Sequence, residues 1–378
     1  MALNRQRLAI TIARHSGTLG CSWISHRTFT LTSSSLGNTK SSDVLFFGTD
    51  HYSIYAFKSL LRSMETNAAS IGRLGVCSKF HEPLCELAKF ANRAKLSKDI
   101  ITIDYRDILS SLSLQSWDLG VLASFGHLLP EDLITSFPYG ILCIHPSLLP
   151  RYRGAAPLVE TIRNGDNVSG VSLMSIAPKK FDVGPILAQE TVEIPSRCTT
   201  RQLGELLMGR GVKLLEDALN DLPAALAAAK PQSSEGISYA KKVTVRKTFI
   251  DWNWTMDEID RFYRAVHEDF GVRTLWEGKV AHIGNFTEPD MVKSAKVDEL
   301  CSGSSSPGSF YFHKKRRQLF VRCADGWVGV GSIGLPDRKP MLGVDFYNGF
   351  LSPEKNRAEV FESVKRPSTS KKSANHKT

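Results

Sequence analysis

An α/β chain built on a mainly parallel sheet, followed by a smaller β-rich domain, is the fold the sequence predicts. Three observations carry it. Short runs that are apolar almost throughout alternate with longer amphipathic stretches up to residue 229. Strands buried on both faces read this way, and strands separated by helices pair in parallel through right-handed crossovers. At about Lys230 the chain turns polar, in KPQSSEGIS (230–238), as linkers do. Beyond it, short strand-like runs lie close together with Gly and Pro between them, the pattern of a small, mostly β domain that can close as an open barrel.

The elements follow in order. VLFFG (44–48) is a buried strand leading into an amphipathic helix over Ile54 to Met64. LGVCS (74–78) is the next strand, with a helix around Leu84–Ala94. LGVLAS (119–124) and GILCIH (140–145) are further buried strands, and GVSLMSI (170–176) is another. A helix starting at Thr199 or Thr200 carries Leu203, Leu206, Leu207, Leu214, Leu215 and Ala218, the spacing of one apolar face. After the linker come a helix over Met256–Phe270 and strands at Val280–Ile283, Phe310–His313, Leu319–Arg322 and Trp327–Gly331. CSGSSSPGS (301–309) reads as a loop and the chain after about Asn356 as a polar, disordered tail.

The chain has 378 residues, 42% hydrophobic and 23% charged, ample for two or three domains with a buried core. No apolar run approaches the ~18 residues of a membrane-spanning helix, so no membrane partner is expected. Seven cysteines, at 21, 77, 85, 143, 198, 301 and 323, form no CxxC pair. That spacing suits neither a disulfide framework nor a zinc site, and no metal is expected. The net charge of +10 is unevenly placed. Arg5, Arg7, Arg14, Arg27 and Lys40 precede the first acid, Asp43, among many Ser and Thr. A basic, hydroxyl-rich, acid-free start is the composition of a mitochondrial presequence, and a secretory signal would need a longer apolar run. Five more cations lie in 365–378 with no acid, so residues 41–364 sum to zero. Nucleic-acid binding must therefore come from local clusters.

The stretch ILCIHPSLLPRYRGAAP (141–157) is unusual for a core strand. It ends on His145 at the carboxyl end of a strand, where open α/β sheets bind ligands. Strand residues two apart share a face, so Cys143 and His145 are side by side. KKFDVGPILAQETV (179–192) sets Asp182 in a turn between strands. A His and an Asp brought together make a general acid/base pair, the carboxylate holding the imidazole tautomer and favouring its charged form. FFGTDHYS has one Gly where a dinucleotide fingerprint needs three, and Cys143 with His145 lacks any nucleophile elbow.

HPSLLPRYRGAAP, SGVSLM and the FDVGPIL turn resemble the signature of the folate-dependent formyltransferases. DVLFFGTD, ASFGHLLP (123–130), ISYAKKV, DGWVGV and DFYNGF extend the resemblance over roughly 43–350. RGAAP and the second domain place it in the branch acting on methionine esterified to initiator tRNA, rather than the glycinamide ribonucleotide branch. The resemblance implies a Rossmann-like formyltransferase domain (41–229), a linker (230–245) and a tRNA-binding, open-barrel-like domain (246–354). It implies a presequence over 1–40, a basic disordered tail over 355–378, a location in the mitochondrial matrix and a monomer. The implied donor is 10-formyltetrahydrofolate and the acceptor is initiator methionyl-tRNA. His145 matches the family His and Asp182 the family Asp. Ser147, Leu148, Leu149 and Pro150, with Phe125, Gly126, His127 and Leu128, would line the folate.

One position departs: the family Asn falls on Cys143, and a thiol is a weaker donor than an amide. A slower enzyme, a transient thioester on the thiol, and a tRNA- or folate-binding homologue without turnover all fit that change; a formyltransferase acting on another amine is a further alternative. For tRNA, the candidates are Arg151 and Arg153 (for the acceptor end or the folate glutamate), Lys241, Lys242, Arg246 and Lys247, and Lys314, Lys315, Arg316 and Arg317. Lys79, Arg93, Lys95 and Lys98 read as the solvated face of a helix.

Overall fold

The computed structural model describes residues 41–66, 71–81, 83–94, 100–112, 116–300, 306–351 and 360–364. The presequence expected over 1–40, Lys95, Lys98, residues 301–305 and the basic run 365–378 lie outside them.

The apolar runs form one seven-stranded sheet. Its strands are β1 (Ser42–Phe47), β2 (Ile71–Ser78), β3 (Ile101–Asp104), β4 (Leu119–Ala123), β5 (Ile141–His145), β6 (Val168–Ser175) and β7 (Ile186–Glu193), in the order β3-β2-β1-β4-β5-β6-β7. The first five are parallel. β6 and β7 run antiparallel, as a finding beyond the sequence reading. The connection 176–185 between them contains no helix, and a parallel return requires a long crossover. β3 also escaped the sequence reading, since a four-residue strand with a half-buried Asp gives no apolar run.

Helices cover the sheet: α1 (His51–Glu65), α2 (Glu86–Arg93), α3 (Ile108–Leu112), α4 (Glu131–Thr135), α5 (Pro157–Asn164), α6 (Thr200–Asn220) and α7 (Leu222–Ala227). Asp50 caps α1 by accepting from the Ser53 N–H at 3.0 Å. Thr199 and Gln202 form a reciprocal capping box at the start of α6, which fixes where this helix begins. The order reverses between β1 and β4. There Thr49 donates its hydroxyl to the Ser124 carbonyl at 2.8 Å.

After the linker, α8 (Met256–Val266) precedes an antiparallel sheet of β8 (Val272–Trp276), β9 (Lys279–Phe286), β10 (Phe310–His313), β11 (Gln318–Arg322), β12 (Trp327–Gly334) and β13 (Met341–Leu342). The order is β10-β11-β12-β9-β8, with β13 on β12. α8 packs on α5, and Arg261 Nε donates to the Arg163 carbonyl at 3.3 Å. Leu158 and Ile162 of α5 and Ile259 and Phe262 of α8 belong to a core shared by the two sheets.

The tail needs correction. Val360 bridges Ser309, Glu362 bridges Leu275, and Phe361 is only 1% exposed and stacks on Trp252 with ring centroids 5.8 Å apart. An aromatic ring gains far more from burial than a polar tail does, so the segment 360–364 returns to the second domain.

Candidate active site

β5 sorts its side chains by alternation. Leu142 and Ile144 enter the main core, while Cys143 packs with Leu149 and Met174 on the opposite face. His145 ends the strand on the face of Cys143 and is 5% exposed. Its Nε2 lies 3.1 Å from the Tyr152 carbonyl. A carbonyl only accepts, so Nε2 carries the proton of that bond, and Nδ1 is left facing Asp182 Oδ1 at 3.7 Å. That distance exceeds a direct hydrogen bond, and catalytic contacts of this kind commonly tighten when substrate binds.

Asp182 takes a left-handed conformation, φ 53°, which Asp tolerates better than most residues. Its Oδ2 accepts from the Gly154 N–H at 2.7 Å. Gly154 itself has φ 119°, and a Cβ there would lie 2.6 Å from the Ala240 carbonyl. On the other side of Asp182, a Cβ at Gly184 would lie 1.7 Å from the Ser175 carbonyl. The small residues of RGAAP and FDVGP are what let three backbone segments close around one carboxylate.

The linker is part of this construction. The Arg153 N–H donates to the Ser238 carbonyl at 2.9 Å, and the Ala240 N–H to the Arg153 carbonyl at 2.7 Å. Arg153 is buried and donates from its guanidinium to Gln232 Oε1 at 3.0 and 2.6 Å. Gln232 Nε2 in turn donates to the carbonyls of Asp182 and Gly184, each at 2.9 Å. Arg153 therefore braces the Asp182 turn and is not an exposed phosphate ligand, which corrects the sequence expectation. Arg151 is exposed and pairs with Asp166 at 2.7 Å.

The loop 147–150 is held from β6 and β7. Ser172 lies opposite His145 in the strand register. Its Oγ donates to the Ser147 carbonyl at 2.6 Å and accepts from the Leu149 N–H at 3.1 Å. Gln189 adds a bond from Nε2 to the Leu149 carbonyl at 3.0 Å. Of the expected folate contacts, Phe125, Ser147 and Leu149 are buried, so their side chains shape the site from behind. Leu148 and Pro150 are half-buried, while Gly126, His127 and Leu128 are exposed. Tyr105 fixes that last segment, stacking on His127 at 4.8 Å and donating its hydroxyl to the Leu128 carbonyl at 3.0 Å. Gln232, Ser172 and Gln189 were missed by the sequence reading. Period-two alternation through GVSLMSI could have put Ser172 on the pocket face; nothing local marks Gln232.

Burial pushes the Cys143 thiol well above its ordinary pKa, and the Asp182 carboxylate adds to that shift. Cys143 is therefore a neutral thiol, able to donate weakly and poorly suited to nucleophilic attack. The cations are dispersed. Lys241, Lys242 and Arg246 are exposed near the linker, but Lys247 pairs with Glu160 at 3.3 Å. Lys314, Lys315, Arg316 and Arg317 form the exposed turn between β10 and β11, beside a depression of about 280 Å³ lined in part by Arg316 and Arg317.

Comparison with known proteins gives this arrangement a family. Residues 91–219 match the family model described as Formyl transferase, and residues 242–351 match Formyl transferase, C-terminal domain. A Rossmann-like sheet with its His–Asp pair, joined to that second domain, thus defines a two-domain formyl transferase. The mitochondrial methionyl-tRNA formyltransferases of Rattus norvegicus and Homo sapiens are 36% and 37% identical over 318 and 320 residues, in both cases 82% of this chain and 78% of the relative. The chain belongs to the methionyl-tRNA formyltransferase family. In three dimensions it resembles HypX from Aquifex aeolicus in complex with tetrahydrofolic acid, with a TM-score of 0.54 at 15% identity, over 82% of this chain and 48% of that one. An N-formyltransferase from Helicobacter canadensis gives 0.52 at 16%, over 76% and 98%. These two likenesses concern the fold.

Proposed function

We propose that the protein transfers the formyl group of 10-formyltetrahydrofolate to the amino group of methionine on initiator tRNA, in the mitochondrial matrix, for translation initiation. The observation that carries the reading is the His145–Asp182 pair at the carboxyl end of β5, in a chain of this family. The free amine attacks the formyl carbon, forming the new C–N bond as the carbonyl electrons move to oxygen. His145 Nδ1 takes the proton the attacking nitrogen must lose, and the Asp182 carboxylate stabilises the imidazolium. The same proton passes to the folate nitrogen as its bond to the formyl carbon breaks and the carbonyl re-forms. The neutral Cys143 thiol supplies one weak donor near the developing oxyanion. A protonated thiol argues against a thioester on Cys143.

The folate lies along 126–128 and 148–150, and the cations near the linker and on the β10–β11 turn meet tRNA phosphates. Purified protein mixed with methionyl-tRNA and formylfolate should yield acid-stable formylmethionine, and a sugar-nucleotide amine should not be formylated. The absence of product from methionyl-tRNA, with tRNA or folate still bound, would favour a binding homologue instead.

A further inference from the structure

Of the described Phe, Tyr and Trp residues, the two most open to solvent both border the catalytic pair. Phe181, which immediately precedes Asp182, is 61% exposed, and Tyr239 on the linker is 67% exposed; no other exposed Phe, Tyr or Trp exceeds 47%. Tyr239 bridges Arg153, and Gly154 beside Arg153 donates to Asp182. Phe181 therefore stands on the Asp182 turn itself, and Tyr239 on the linker strand that pairs with Arg153, next to the Gly154 that holds the Asp182 carboxylate. Neither stacks on another ring of the described residues. Each also has a lysine pair beside it, in KKF (179–181) and YAKK (239–242). Lys179 pairs with Glu131 at 3.0 Å. Lys180, Lys241 and Lys242 are exposed, with no carboxylate in ion-pair range among the described residues.

Exposed rings interleaved with unpaired cations are the recurring construction for unpaired nucleic acid, because every base has a π-face and every linkage a phosphate. A small sugar-nucleotide amine carries one base and would occupy one ring; two rings with three cations suit successive bases of a strand. We propose that Phe181 and Tyr239 form a stacking subsite for the unpaired nucleobases at the 3′ end of the charged tRNA, with Lys180, Lys241 and Lys242 on the intervening phosphates. This rests on the acceptor assigned above and adds which part of it is gripped, and by what.

The test uses the full chain with Phe181→Ala, Tyr239→Ala, Phe181→Leu and Tyr239→Phe, and with Tyr55→Ala as an exposed-ring control. Each Ala variant should raise the KM for methionyl-tRNA about tenfold, the scale of one lost base–aromatic stack. The KM for the formyl donor should not change. Phe181→Leu should behave as Phe181→Ala, whereas Tyr239→Phe and Tyr55→Ala should match wild type. Binding of a dye-labelled single-stranded pentanucleotide, read by anisotropy at low salt, should weaken in the same variants. Unchanged tRNA KM and oligonucleotide affinity would overturn the subsite, as would a fall in kcat alone, which would make Phe181 a support for Asp182. If wild type formylates no methionyl-tRNA, the functional reading fails by itself, and the oligonucleotide series still decides for or against the rings.

Discussion

The chemistry at Cys143 is set by its surroundings more than by its identity. Buried beside Asp182 and held as a neutral thiol, it offers one weak donor where an amide would offer two. Loss of a single oxyanion donor typically costs about 10²-fold to 10³-fold in turnover. Cys143→Asn should therefore raise the formylation rate, by about tenfold or more; a loss of activity would mean that the sulfur itself takes part. Asp104 gives a pH-dependent prediction. Burial pushes its carboxyl up, but bonds from the Arg106 N–H, His81 and the Arg106 side chain outweigh this and hold it well below the ordinary range. A depressed folded value means the stabilisation is complete above the unfolded pKa of about 4 and disappears as pH falls through the folded value. Asp104→Asn should cost on the order of 2 kcal/mol at neutral pH, as charged hydrogen bonds do. In urea unfolding the deficit should shrink below about pH 4, and a pH-independent deficit would contradict the assignment. That His145 and Asp182 lie together was legible through the family resemblance, which matched both residues; a strand ending in His-Pro and an Asp in a turn are each weak signals taken singly, and the two side chains approach to 3.7 Å. Gln232 was not, since its bonds to Asp182 and Arg153 span 50 and 79 residues.

The linker reads in sequence as a polar spacer, yet it behaves as an edge of the active site. Gln232 has two separable functions, accepting from Arg153 and donating to the Asp182 and Gly184 carbonyls. Gln232→Ala removes both; Gln232→Glu keeps the acceptor and loses the donor. Both should lower kcat about tenfold or more, as displaced catalytic groups do, with the KM for folate little changed. If Gln232→Glu retains full activity, the donor half of this linkage is unimportant. The strands with clear apolar runs were legible from residue 44 onward. β3 is too short to show a run, and β8 (VRTLW) sets its half-buried Arg273 and Leu275 between buried Val272, Thr274 and Trp276, so no continuous run appears. The return of segment 360–364 was hidden by the polar sequence around a single apolar anchor. Phe361→Ala should destabilise the protein by about 3 to 5 kcal/mol in chemical unfolding, as buried Phe truncations do, whereas an effect under about 1 kcal/mol would place Phe361 outside the core.

At the scale of the molecule, two sheets of different type share one core through α5 and α8. Composition and turn spacing separate the two domains in the sequence; their common core is invisible there because it joins residues about a hundred positions apart. One thermal transition should follow, reported alike by Trp117 in the first domain and by Trp252, Trp276 and Trp327 in the second. Two resolved transitions would show that the α5–α8 contact is weak. The linker runs between these halves and donates from Gln232 to the Asp182 carbonyl. The most direct measurement is single-turnover formylation of methionyl-tRNA by wild type, His145→Asn and Asp182→Asn at saturating formylfolate. Each variant should react about 10²-fold to 10⁴-fold more slowly, the usual worth of a positioned proton-transfer group, while still binding folate. Rates within a few-fold of wild type in either variant would contradict the account.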